Sequence, residues 1–242
     1  MLCYALETFV SGILALFIMK KRYGIRFQLV KTENIIYYFK DSIPFFSSTF
    51  LMRVYKNMNA LILGFFVGDF AVGLYTAAEK LHNAYSSFVS PLLSQIFYPY
   101  FTRINNINRT TKITILLCVL NTIILACGYF LSPYLIHLFI KTEAASIISN
   151  FNLFLFLLVI SVPADMLGFP FLGILGKINS VNNTTIYSAF AYMLAIAVLI
   201  LTKQISIENV ILALIFANII CLSSRIYLIS KTLNNDNKQI QQ

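Results

Sequence analysis

The chain reads as an all-α integral membrane protein of about seven transmembrane helices, and three observations carry that reading. Of its 242 residues, 59% are hydrophobic and only 11% are charged, where a soluble domain averages about 25% charged residues. The mean hydropathy is +0.79. Apolar runs of roughly 20 residues, the length that spans a bilayer as helix, recur along the chain with short connections between them. So few charges could not cover a water-facing surface, which excludes soluble, secreted and nucleic-acid-binding classes.

The spans fall at 2–19, 42–67, 74–101, 113–140, 147–175, 184–202 and 209–229. The first has Glu7 inside it and no base ahead of it, which does not fit a cleavable signal peptide. The connection 20–41 is the one long one, and its run Ile35, Ile36, Tyr37, Tyr38 and Phe39 predicts an interfacial helix leading into the second span. That span ends in a GxxxG, Gly64 to Gly68, which permits close helix packing. The fifth carries Pro163, Asp165, Gly168, Pro170, Gly173 and Gly176, a composition that predicts a kinked or broken helix. No internal repeat stands out.

A net charge of +9 would suggest a nucleic-acid partner in a soluble chain. Here most bases sit between the apolar runs and act as topology signals. Lys20, Lys21, Arg22, Arg26, Lys31, Lys40, Arg103, Arg109, Lys112, Lys177, Arg225, Lys231 and Lys238 fall on one side, against Lys141 and Lys203 on the other. That bias predicts a cytoplasmic C-terminus (231–242) and an external N-terminus. Asn108 and Asn182 stand in glycosylation patterns, but this topology keeps both in the cytoplasm.

Cations within a span cost about 2.5–3.5 kcal/mol on insertion scales, so they should face a cavity or a partner. Arg53 and Lys56 lie near the middle of the second span, on one helical face with Asn57 and with Asn59 at its edge. Two cations beside amides suit an anionic, hydrogen-bonding ligand, Arg53 as a bidentate fork and Lys56 as a point charge. The plainer alternative is a structural ion pair with an acid on a neighbouring helix.

In the third span Tyr75, Glu79, His82, Asn83, Ser86 and Ser90 fall within an arc of about 100°. A polar stripe of that length usually lines water or a substrate path. Lys80 points away from it and is expected to snorkel outward. Glu79 lies within reach of Lys56 and Arg53. A phosphate competing for those cations would free Glu79 to bind a proton, a route to coupling with H+ or Na+. Asp165, beside Pro163, either serves an ion or substrate site or caps a second half-helix. His137 has no partner by spacing and reads as interfacial.

Cys3, Cys118, Cys127 and Cys221 lie singly within apolar runs and are expected to be buried thiols, not ligands or disulfides. No metal site or cofactor box is evident, and the 14 Tyr and 22 Phe read as packing and interfacial anchors. Walker A, GxSxG, HExxH and DxD patterns are absent, so transport fits better than catalysis.

Several segments then fall into a familiar order: Lys40 to Phe46 (KDSIPFF), Tyr55 to Gly64 (YKNMNALILG), Ala71 to Leu81 (AVGLYTAAEKL) and Phe88 to Pro99 (FVSPLLSQIFYP). This run resembles the Wzx-type O-antigen flippases, the polysaccharide transporter branch of the multidrug/oligosaccharidyl-lipid/polysaccharide exporter superfamily. The resemblance is specific over 40–103. It implies an inner-membrane protein that moves undecaprenyl-diphosphate-linked oligosaccharide repeat units by alternating access between two six-helix lobes, driven by an ion gradient. It also implies that Arg53 and Lys56 bind the diphosphate or acidic sugars. Residues 1–41 would then be the last helix of the first lobe plus a cytoplasmic linker, and 42–230 the six-helix second lobe. The rest of the first lobe, or a partner chain, is expected to complete the cavity; the chain would be a fragment, a disrupted gene product or half of a dimer.

Three rivals have features against them. A drug or cation antiporter of the same superfamily would meet like charges on the second span. A glycan polymerase or ligase needs a large outer catalytic loop. A retinal protein needs a lysine in the last span, and 209–229 has none.

Overall fold

The computed structural model describes residues 2–24, 32–104, 106–139 and 144–240. Arg26, Lys31 and Lys141, and the side chains of Cys3, Lys56 and Lys238, lie outside the described part. Every described element is helical: α1 (Leu2–Tyr23), α2 (Thr32–Phe66), α3 (Asp69–Pro91), a first π turn (Leu92–Phe97), α4 (Tyr98–Ile104), α5 (Ile107–Phe139), α6 (Ala144–Met166), a second π turn (Leu167–Leu172), α7 (Ile178–Leu201) and α8 (Ile207–Ile240). The chain divides into two units, 1–43 and 44–242.

In the first unit, α1 gathers Lys20, Lys21 and Arg22 in its last turn, where cations offset the negative end of the helix dipole. Gly24, at φ +62°, closes it by donating its N–H to the Lys20 carbonyl at 3.1 Å. The predicted separate interfacial helix around 35–39 is not a distinct element, because α2 already starts at Thr32.

In the second unit, the GxxxG is a corner, not a contact between distant helices. The Gly68 N–H bonds the Leu63 carbonyl at 2.9 Å, and Gly68 at φ +116° turns the chain directly into α3. A Cβ on Gly64 would stand 3.4 Å from Val72, so the small residue lets α2 and α3 close up at that corner. Side-chain caps start two later helices earlier than hydropathy predicts. The Asn106 side chain accepts the Arg109 N–H at 3.1 Å and opens α5 at Ile107; Ser206 does the same for Asn209 at 3.2 Å and opens α8.

Four helices among the described residues are long and apolar enough to cross a membrane: α5, α6 with its π turn, α7, and α8 as far as Leu233. The polar stripe of α3 makes it less apolar than these. Helix α6 is the centre of the lobe, packed against α3, α5 and α8, while α7 packs on α8. Its Phe154 and Leu158 share one core with Tyr192 of α7 and Val210 and Ile211 of α8. The predicted break in the fifth span is present and falls at Gly168, with ψ −121°, while α6 carries Pro163 within its helix. Cys221 is buried as expected, whereas Cys127 is exposed on α5 and Cys118 half-buried; an apolar run facing lipid exposes its thiols as readily as its leucines.

Candidate functional site: a polar cavity in the membrane lobe

Polar residues of five helices meet in one cavity of about 320 Å³. Helix α2 contributes Arg53, Asn57 and Asn59; α3 contributes Glu79, His82, Asn83, Ser86 and Ser90; α6 contributes Ser161 and Asp165; α7 contributes Thr185 and Ser188; α8 contributes Asn218, Cys221 and Arg225. Each set repeats at three- and four-residue spacing, so each helix turns one face inward. Of the sequence-predicted site residues, Arg53, Asn57, Asn59, Glu79, His82, Asn83, Ser86 and Asp165 all line this cavity. The Lys56 side chain lies outside the described part. Lys80 is exposed and takes no part in the lining.

One wall is braced by a chain of hydrogen bonds across three helices. The Asn59 amide N–H donates to the Tyr75 hydroxyl at 2.8 Å, and that hydroxyl donates on to Glu79 at 3.3 Å. Tyr192 of α7 donates its hydroxyl to the Asn59 carbonyl oxygen. Asn59 is therefore a buried strut between α2, α3 and α7, not a free amide awaiting a ligand. Its neighbours Arg53 and Asn57 are the exposed members of the α2 face. His82 packs against Phe154 with the rings tilted and their centroids 5.1 Å apart, and bonds Asn83 at 3.2 Å.

The opposite wall holds a cation that the sequence reading assigned to topology. Arg225, counted there among the cytoplasmic bases, is only 5% exposed. Its Nε donates to Thr184 Oγ1 at 3.2 Å, Nη2 to Thr185 Oγ1 at 3.1 Å, and Nη1 to the Ala164 carbonyl. Both threonine hydroxyls donate in turn to the Val181 carbonyl, at 2.7 and 3.1 Å. Asp165 lies 3.8 Å from Nη1, with its side chain 65% exposed. It faces the cavity as the counter-ion of Arg225, and no capping bond to a second half-helix is seen among the described residues.

Gly168, where the second π turn departs from helical geometry, makes room for this cation. A Cβ there would stand 2.8 Å from Arg225 Nη1 and 3.1 Å from Cζ. The stripe Asn218, Cys221, Arg225 at i, i+3, i+7 was the sequence signal for Arg225. Its closeness to Lys231 and the chain terminus concealed it.

No group of His, Cys, Asp and Glu among the described residues could hold a metal ion. Chemically the cavity offers two guanidinium groups, of which Arg225 is held in place, two carboxylates and a set of amides and hydroxyls. Those suit a ligand that is anionic at one place and rich in hydroxyls elsewhere.

Comparison with known proteins points the same way. A family described as "Polysaccharide biosynthesis protein" matches residues 1–105. A Shigella dysenteriae protein named "Putative O-antigen transporter" is 28% identical over 138 residues, which cover 56% of this chain and 35% of that protein. An Escherichia coli K12 protein of the same name is 28% identical over 121 residues, 50% of this chain and 29% of its own length. The matched stretch thus spans about a third of these curated relatives. No solved structure matches the chain significantly. The chain is similar to O-antigen transporters, in line with the resemblance carried by residues 40–103.

Proposed function

With that similarity as premise, we propose that this chain is part of a flippase for undecaprenyl-diphosphate-linked oligosaccharide repeat units. It would serve O-antigen or capsular polysaccharide synthesis as a multi-pass protein of the bacterial inner membrane, with its C-terminus in the cytoplasm. The observation that carries the reading is the polar cavity: cations, amides and hydroxyls from five helices face one space, in a chain of which only 11% is charged. An intramembrane ionisable group marks a substrate or ion path by default.

The roles follow from chemistry. Arg53 and Lys56 hold the diphosphate or acidic sugars. Asn57, Asn83 and Ser86 hydrogen-bond sugar hydroxyls, while Asn59 sets the spacing of α2 against α3 and α7. Glu79, tied to Tyr75, exchanges a proton or Na+ as substrate enters and leaves. The second wall of the path comes from another lobe, either a first lobe or a partner chain, and alternating access between the two moves the headgroup across the membrane. Both named relatives are described as transporters, and transport needs no catalytic residue or cofactor.

The test uses a strain whose surface glycan depends on this transporter. Arg53→Ala combined with Lys56→Ala should abolish surface glycan and trap lipid-linked repeat units in the cytoplasmic leaflet. Normal export by that variant would overturn the cation assignment. For coupling, transport by Glu79→Gln is titrated against external pH; a proton dependence identical to wild type would remove Glu79 from that role.

A further inference from the structure

A second cavity of the same unit, about 630 Å³, differs in chemistry from the first and meets it at one place. Tyr98, Phe169, Pro170 and Ile178 give it most of its apolar lining, with Thr49, Ser94 and Asn182 also in its wall. Ser90, Leu93, Asp165, Thr185 and Arg225 line both cavities. Hence a path from one to the other runs from sugar-like polarity, past a buried guanidinium, to hydrocarbon. A lipid-linked sugar has that same order along its own length: a polar glycan, then phosphate, then an apolar tail.

Building on the flippase reading above, we propose that the apolar cavity holds the phosphate-proximal part of the translocated lipid's hydrocarbon tail, with the diphosphate on Arg225 where the cavities meet, which leaves the acidic sugars to Arg53 and Lys56. Its volume lies within the roughly 300–1,000 Å³ typical of ligand sites. The guanidinium is held in place by Thr184, Thr185 and the Ala164 carbonyl, which leaves an N–H on each terminal nitrogen for a ligand.

Asp165 is the group that must yield. Its carboxylate stands at 3.8 Å from Nη1 on a side chain 65% exposed, longer than a charge-assisted hydrogen bond of about 2.7–2.9 Å. A diphosphate supplies paired oxygens for a closer, bidentate contact, and Asp165 swings to the open side of the cavity. A bulk phospholipid has its phosphate at the membrane surface and nothing to place in the polar cavity, so the full polar–cation–apolar order selects the glycolipid carrier.

The experiment takes the unmodified chain in nanodiscs with a polyprenyl diphosphate bearing a photoactivatable diazirine on the isoprene unit nearest the phosphate. Adducts are mapped by peptide mass spectrometry. The expected result is labelling of the segments around Ser94–Tyr98 and Phe169–Ile178. Unlabelled polyprenyl diphosphate at about ten times its dissociation constant should cut that labelling about tenfold, and the matching polyprenol should not. Arg225→Lys, which keeps the charge and loses the fork, should lower the adduct yield. Equal competition by polyprenol or phosphatidylglycerol would show a general hydrocarbon groove and overturn the proposal. Saturable adducts confined to the polar-cavity faces of α2 and α3 would also overturn it, while leaving the flippase reading standing. No saturable adduct anywhere would count against both.

Discussion

Arg53 and Arg225 are both cations inside apolar helices, and the protein treats them in opposite ways. Arg53 is exposed in the polar cavity. Arg225 is buried to 5% exposure and spends three donors on neighbouring helices before any ligand arrives. The first stands exposed with no partner among the hydrogen bonds described above; the second fixes α8 against α6 and α7 and presents a charge at a constant place. A membrane interior can therefore carry a charge as a reporter of ligand or as a strut with a charge on it, and the hydrogen-bond partners decide which.

That contrast is open to attack by stability measurements in bicelles, from the strongest effect to the weakest. Arg225→Ala leaves the buried Ala164 carbonyl without its partner, at about 1–3 kcal/mol, and removes the guanidinium that ties α8 to Thr184 and Thr185 of α7. Equilibrium unfolding should register a large loss, and a change below about 1 kcal/mol would deny the strut. Gly168→Ala presses a methyl against the same guanidinium and should cost about 1–3 kcal/mol; if it proves neutral, the guanidinium is not held where it stands. Asn59→Leu removes two interhelical bonds, worth about 0.6 kcal/mol each in membrane proteins, and its measured loss should lie near their sum. Arg53→Ala should change stability by less than about 0.5 kcal/mol while glycan export fails. A destabilisation as large as that of Arg225→Ala would erase the distinction.

The sequence made much of this architecture readable, and the places where it did not are physically instructive. Hydropathy located α5 to α8 because lipid demands apolar length, whatever the packing. It could not say which of them is central. The most apolar stretches of α5 and α6 have hydropathies of 2.2 and 2.1, yet 17% of one and 50% of the other is buried. Lipid and core look alike to a leucine. The stripe from Tyr75 to Ser90 was legible, since polar residues at helical spacing are rare in a span. Asn59 was readable as a cavity residue but not as a strut, because its partner Tyr192 is 133 positions away. Arg225 was misread as a topology charge: sequence position near a helix end does not reveal that the end is packed. The Pro- and Gly-rich stretch foretold a break in the fifth span but not its reason, since the residue that must be small, Gly168, is chosen by the guanidinium lying against it.

The two π turns, Leu92–Phe97 and Leu167–Leu172, touch each other. A π turn stores one more residue than an α turn. An extra residue in a plain helix would rotate everything beyond it by about 100° and carry each side chain to a new face. Here Leu92–Phe97 takes up such a surplus, and Leu167–Leu172 beside it breaks helical geometry at Gly168, so the faces above and below answer to separate registers. A gene encoding this lobe can gain or lose a single codon at either turn and repack locally, whereas the same change in α7 or α8 would scramble a whole face. Length variation among related sequences should accordingly gather at these two turns.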